Sequence, residues 1–213
     1  MKALLTGFLI ASLAWLPGAV AAAETPQAGQ DYVEIPGGKP WAPKAGTVEV
    51  AEVFGYSCPH CAHLEPLLQA WKSRQKGDVN FVAVPAAFGG AWDGWARAYF
   101  AAYNLGLVPR THAAVFKAVH ETGTLPRNPG AQELADFYAG YGVSADSFRA
   151  AMADPRVDEQ MRSAAAFARE SGLEGTPTVI VNGRYRVLGQ SFEDMLHTTD
   201  WLVARERQAK ASP

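Results

Sequence analysis

Cys58 and Cys61 are the only two cysteines in the 213-residue chain, and they stand three positions apart in Cys58-Pro59-His60-Cys61. Two thiols at this spacing can close a disulfide, bind a metal, or trade a disulfide with another molecule. As a structural staple the pair is weak. A loop of about four residues is worth roughly 2 kcal/mol in the chain-entropy model, against about 5 for a loop of about 100 residues. A zinc site completed by His60 and His63 would crowd four ligands into six residues, unlike the usual two-plus-two spacing. Exchange asks only for a reactive thiolate with a second thiol in reach. Redox use is therefore expected, with a Cys58–Cys61 disulfide in the oxidised form and no metal.

The residues around the pair give the two sulfurs unequal work. Cys61, Leu64, Leu68 and Trp71 recur at helical spacing and share one face, which turns Cys61 toward a core. Cys58 falls at the helix start, where free N–H groups and the helix dipole favour a negative sulfur and an exposed position gives access. Cys58 is the expected nucleophile and Cys61 the resolving thiol. Pro59 suits the first helical turn, and the His60 imidazole is expected to add to thiolate stabilisation. Each pKa unit removed from Cys58 stabilises its thiolate by about 1.4 kcal/mol. That raises the reduction potential by about 30 mV, which favours giving disulfides away.

Glu52 is out of place in an apolar strand. Val48, Val50, Glu52 and Phe54 alternate onto one face, so the carboxylate is expected to be buried, raised in pKa, and able to trade protons with Cys61. An edge carboxylate paired with a surface base is the alternative. Thr176-Pro177 opens a later strand and has a small chance of a cis bond.

The elements that must position these groups are legible. Tyr32 to Ile35 suits a short edge strand, Thr47 to Phe54 a strand, Pro59 to Lys76 a helix, and Val79 to Val84 a strand closed by Pro85. From about Trp92 to Ser171 the pattern is helical, broken by Gly and Pro into about five helices, the last starting near Pro155. Thr178 to Asn182 and Tyr185 to Leu188 flank Asn182-Gly183, a hairpin signal, and a final helix runs from about Phe192 to Gln208. An α/β domain split by a helical insertion is the expected architecture.

The N-terminus has the parts of a secretory signal peptide: Lys2, an apolar run from Ala3 to Leu16, and small residues ending in Ala21-Ala22-Ala23. Cleavage after Ala21 or after Ala23 fits equally, and Pro17-Gly18 breaks the run before it could span a bilayer. About 190 residues remain, enough for one core with an insertion. The net charge of −2 becomes more negative when Lys2 is lost, which gives no reason to expect nucleic acid as partner.

Together these features resemble the DsbA family of periplasmic disulfide oxidases. The resemblance rests on Glu52 six residues before Cys58, the Cys-Pro-His-Cys motif, the helical insertion, and Gly175-Thr176-Pro177-Thr178 leading into Val181-Asn182-Gly183-Arg184-Tyr185. It implies a thioredoxin-like domain with a central mixed sheet, residues 24–90 and 171–213, interrupted by an all-helical domain at 91–170. It also implies that Pro177 is a cis-proline against the disulfide and that the Thr176 backbone pairs with substrate. Substrates would be newly exported, unfolded proteins with reduced cysteines, and a DsbB-like quinone-linked membrane protein would reoxidise the pair. The protein would be a periplasmic monomer needing no cofactor. One departure stands out: family members can carry a lysine on the strand beside the buried glutamate, and Val79 to Val84 has none. The alternatives are a disulfide isomerase or reductase, or a peptide-binding chaperone module with a passive disulfide.

Overall fold

Seven consecutive buried residues, Val48–Phe54 (β2), form the strand on which the molecule is built. The structure, a computed structural model, describes residues 25–211; the expected signal peptide, residues 1–23, lies outside them. Ahead of β2 stands the short strand Tyr32–Glu34 (β1), and after it helix Pro59–Arg74 (α1) and strand Val79–Pro85 (β3). Five helices follow, as the Gly and Pro breaks suggest: Ala91–Asn104 (α2), Val108–His120 (α3), Ala131–Ala139 (α4), Ala145–Met152 (α5) and Pro155–Glu170 (α6). The chain then returns through Thr178–Val181 (β4), Tyr185–Val187 (β5) and Phe192–Ala211 (α7). None of these helices is long and apolar enough to cross a membrane.

The strands form one mixed sheet in the order β1-β5-β4-β2-β3. β2 and β3 run parallel, Val48 opposite Val79 through Phe54 opposite Pro85, so a crossover must join them, and α1 is that crossover. On its other edge β2 pairs antiparallel with β4, Val53 opposite Thr178 and Glu52 opposite Val179. This pairing brings the residues just before β4 alongside the start of α1. The β4–β5 turn has Asn182 and Gly183 both at positive φ, 53° and 68°, the geometry that a two-residue hairpin demands. Gly183 has a second reason to lack a side chain, since a Cβ there would lie 2.1 Å from the Lys39 carbonyl carbon.

Each face of the sheet has its own core. Val48, Val50, Val179 and Val181 pack with Leu64, Leu68 and Trp71 of α1 and Met195, Leu202 and Val203 of α7. Ala51, Val53 and Ile180 pack instead against the inserted helices. Trp71 donates its indole N–H to Asp200 Oδ1 at 2.8 Å, and Arg207 grips Asp78 with two bonds of 2.7 Å. These contacts tie the far end of α1 and the start of β3 to α7.

Candidate active site

The end of β2 and the start of α1 are separated by a tight connection in which Cys58 N donates to the Gly55 carbonyl at 3.0 Å. Cys58 is the N-cap residue of α1, with extended φ and ψ of −81° and 118°, and Pro59 opens the helix. Cys61, one turn in, is fully buried with Leu64, Leu68 and Trp71, so the stripe read from spacing is the packed face. Cys58 is more covered than its position suggests. It is 9% exposed, a correction to the expected open thiol, because the β4 approach folds over it and the Thr176 carbonyl accepts from its Sγ at 3.3 Å. Both cysteines are thiols here, the reduced half of the expected couple.

The two sulfurs differ sharply in acidity. The Cys58 thiol is lowered to about 5, first by the Cys61 side chain, against the opposing effect of burial, then by the Thr176 side chain and the Cys61 and His60 backbone N–H groups. No complete capping hydrogen bond reaches the sulfur, yet these N–H groups stand where a negative charge is favoured. What the structure shows of His60 is this backbone N–H; its imidazole lies exposed and is not among the causes. Burial pushes the Cys61 thiol far up, with further contributions from Cys58 and the Glu52 charge, and only the Gly55 N–H, 3.5 Å from Cys61 Sγ, pulls it down.

Glu52 is 1% exposed and sits on a central strand, which removes the edge-carboxylate reading. Burial, then the Glu65 charge, holds its carboxyl well above the usual range; Lys72 opposes this and Cys58 adds to it. Its Oε2 has no hydrogen-bond partner among the described residues. Opposite it on β3 stands Ala83. The basic neighbours come from elsewhere: Lys72 on α1 and His112 on α3, whose ring lies with the Glu52 and Glu65 carboxylates in a buried group with ligand atoms within 4.8 Å of one another. That spacing would admit a cation. Gln69 already holds Glu65 Oε1 at 2.7 Å and Tyr56 holds His112 Nδ1 at 2.9 Å, and a carboxyl whose pKa is raised by burial is a poor ligand.

Thr176 and Pro177 lie beside the pair, joined by a cis peptide bond. Spacing alone had not singled out Tyr56. It is buried two residues before Cys58, its hydroxyl bonded to His112 and its carbonyl to His120 Nε2 at 2.7 Å. Trp92 is half-buried, its ring tilted at 57° to that of the exposed Phe88 with centroids 5.4 Å apart, and it lies close against Gly55. Trp95 is in the core.

One activated thiol and one suppressed thiol, three residues apart where a parallel strand feeds a helix, mark a thiol–disulfide oxidoreductase on a thioredoxin-like sheet. Known proteins then give the family. The DSBA-like thioredoxin domain matches residues 49–199. The thiol:disulfide interchange protein DsbA of Azotobacter vinelandii is 38% identical over 185 residues, 85% of each chain. That of Pseudomonas aeruginosa is 35% identical over 93% of this chain and 94% of its own. The crystal structure of the oxidoreductase DsbA from Xylella fastidiosa superposes with a TM-score of 0.84 at 55% identity, covering 86% of this chain and 98% of that one. The chain belongs to the DsbA family and is a thiol:disulfide interchange enzyme.

Proposed function

We propose that Cys58 is the sulfur through which this enzyme hands its disulfide to unfolded, newly exported proteins with reduced cysteines. The observation that carries this reading is the opposed acidity of the pair, Cys58 lowered to about 5 and Cys61 pushed far up. A substrate thiolate attacks Cys58 of the Cys58–Cys61 disulfide. The bond between the two enzyme sulfurs breaks, a mixed disulfide forms on Cys58, and the electron pair goes to Cys61, which takes a proton. A second substrate thiolate attacks the substrate sulfur of the mixed disulfide, and Cys58 leaves as a stable thiolate. The substrate loses two electrons and the enzyme gains two. A thiolate that is stable also leaves readily, which favours donation over reduction.

Thr176 and Pro177 border Cys58 and offer backbone to an extended substrate segment, while Pro59 and His60 set the first turn of α1. Glu52 serves Cys61 as proton donor, since burial raises its carboxyl well above the usual carboxylate range. Family membership and the N-terminal signal pattern support a periplasmic location and reoxidation by a DsbB-like quinone-linked membrane protein. No metal or organic cofactor takes part in the exchange, and the protein works as a monomer.

The test is trapping. Cys61→Ser accumulates mixed disulfides with reduced client proteins, visible on non-reducing gels, and Cys58→Ser accumulates none. Trapping through Cys61 instead would reverse the roles, and full activity of Cys58→Ser would point to a passive disulfide.

A further inference from the structure

Cys61 and Glu52 are shut away from water, at 0% and 1% exposure. A proton given by Glu52 to the Cys61 sulfur must be replaced, because a bare carboxylate in this site is costly. Among the described residues neither Glu52 Oε2 nor His112 Nε2, both buried, has a hydrogen-bond partner, and their side chains belong to the same cluster. His112 Nε2 stands 3.5 Å from Glu65 Oε2, and these two side chains keep some contact with solvent, 10% and 7%. The inner acid is dry and the outer pair touches water. A gap of up to 4.8 Å is one that a single water or a small side-chain rotation can bridge.

We propose that His112, with Glu65 beside it, carries the proton between Glu52 and solvent during disulfide exchange. The inference rests on Cys58 and Cys61 as the exchanging pair. His112 touches neither sulfur and acts through Glu52, so it is a positioning residue for the proton step. Tyr56 fixes the ring through Nδ1, which leaves Nε2 facing the carboxylates. The inserted domain thereby supplies the base that β3 lacks. Among the described residues the charged or titratable groups facing Glu52 are Cys58 at the N-cap of α1, Cys61, Glu65 and Lys72 on α1, Tyr99 on α2 and His112 on α3. The strand partners Ala83 and Val179 bring none.

The proton balance closes. Glu52 gives H⁺ to the departing Cys61 sulfur, His112 returns one to Glu52, and solvent refills His112 past Glu65. No further reactant is needed.

The test is the rate at which a peptide dithiol reduces the oxidised enzyme between pH 5 and 8, in His112→Gln and in Glu52→Gln. Glutamine keeps an amide donor and acceptor in place of the ring but cannot relay a proton in this range. His112→Gln is expected to slow the reaction about tenfold at pH 7, less than the roughly 10²-fold lost with a direct acid–base group because His112 acts through Glu52, and to flatten its pH profile. The double variant should be no slower than Glu52→Gln alone, the signature of one shared path. Should His112→Gln fold poorly, Glu65→Gln gives the same flattened profile. The Cys58 thiolate absorbance near 240 nm serves as a check of site integrity. A His112→Gln enzyme with the parent rate and profile, or losses that multiply in the double variant, overturns the relay. A parent enzyme that fails to exchange disulfides at all would instead sink the reading on which it rests.

Discussion

The most demanding consequence of the paired cysteines is that the reduced and oxidised enzymes should exchange their order of stability with pH. The Cys58 thiol falls from an ordinary 9.0 to about 5 on folding of the dithiol form. A depressed pKa contributes stability that is complete above the unfolded value and is lost as pH falls through the folded one. At 1.36 kcal/mol per unit, the contribution at pH 7 is about 2.7 kcal/mol, rising to about 5 at pH 9 and vanishing by pH 4. The sulfur is not wholly sealed, so solvent screening can take up to about half of this. The oxidised form has no such thiolate, but its four-residue loop gives it about 2 kcal/mol. Setting the two equal puts the crossing between about pH 6.5 and 8. Urea unfolding of both forms from pH 4 to 9 reads this directly, with the 240 nm thiolate absorbance of the reduced protein as an independent check. The oxidised form should be the more stable at pH 4 and the reduced form at pH 9. An oxidised form that stays ahead throughout, or a thiolate midpoint above about 8, would refute the account of Cys58 and with it the oxidising poise.

Other substitutions probe the groups around the pair. Glu52 has a raised pKa, so its favourable share is present below the unfolded value and is lost as pH rises toward the folded one; Glu52→Gln should gain urea stability over the parent progressively from pH 5 to 9, and a constant offset would contradict this. Tyr56→Phe deletes the hydroxyl that holds buried His112 and should cost about 1–2 kcal/mol, with an unchanged urea midpoint counting against the contact. Gly55→Ala would set a Cβ 2.3 Å from the Trp92 ring. Overpacking of that kind costs about 1–3 kcal/mol and should displace Trp92 from Phe88, changing the tryptophan emission; a parent-like Tm and spectrum would show that the site can absorb a methyl group.

What could be read from the chain divides along a physical line. Periodicity gave Cys61, Leu64, Leu68 and Trp71 a common face because a helix fixes that geometry locally, and all four are buried. Alternation likewise placed Glu52 inside. Pairing of β2 with β4 depends on contacts more than a hundred residues apart, so the Thr176 carbonyl over Cys58, and hence the thiol's limited exposure, left no local trace. His112 is a similar case. It sits 51 positions after Cys61 in an ordinary helical stretch, and nothing in its neighbours shows that the fold turns it toward Glu52. His60 differs again, because what the structure shows of it at Cys58 is the backbone N–H, a contact that its residue type does not announce.

Two glutamates on one strand show where the fold tolerates an unmet demand. Glu49 and Glu52 are both 1% exposed, three residues apart and so on opposite faces of β2. Glu49 accepts from the Trp41 and Ala42 N–H groups at 2.6 Å each, and these bonds offset part of its burial. Glu52 keeps an orphaned Oε2, a defect that costs about 1–3 kcal/mol. The chain is therefore able to satisfy a buried carboxylate on this strand and does so where only architecture is at stake. Beside Cys61 it does not. Two N–H groups pull a buried carboxyl back toward its anion, as they do in part at Glu49, whereas Glu52 is left well above the usual carboxylate range, which suits the proton donor proposed for the sulfur that must leave. The same burial that suppresses the Cys61 thiol also raises the Glu52 carboxyl, the acid proposed to let that sulfur depart.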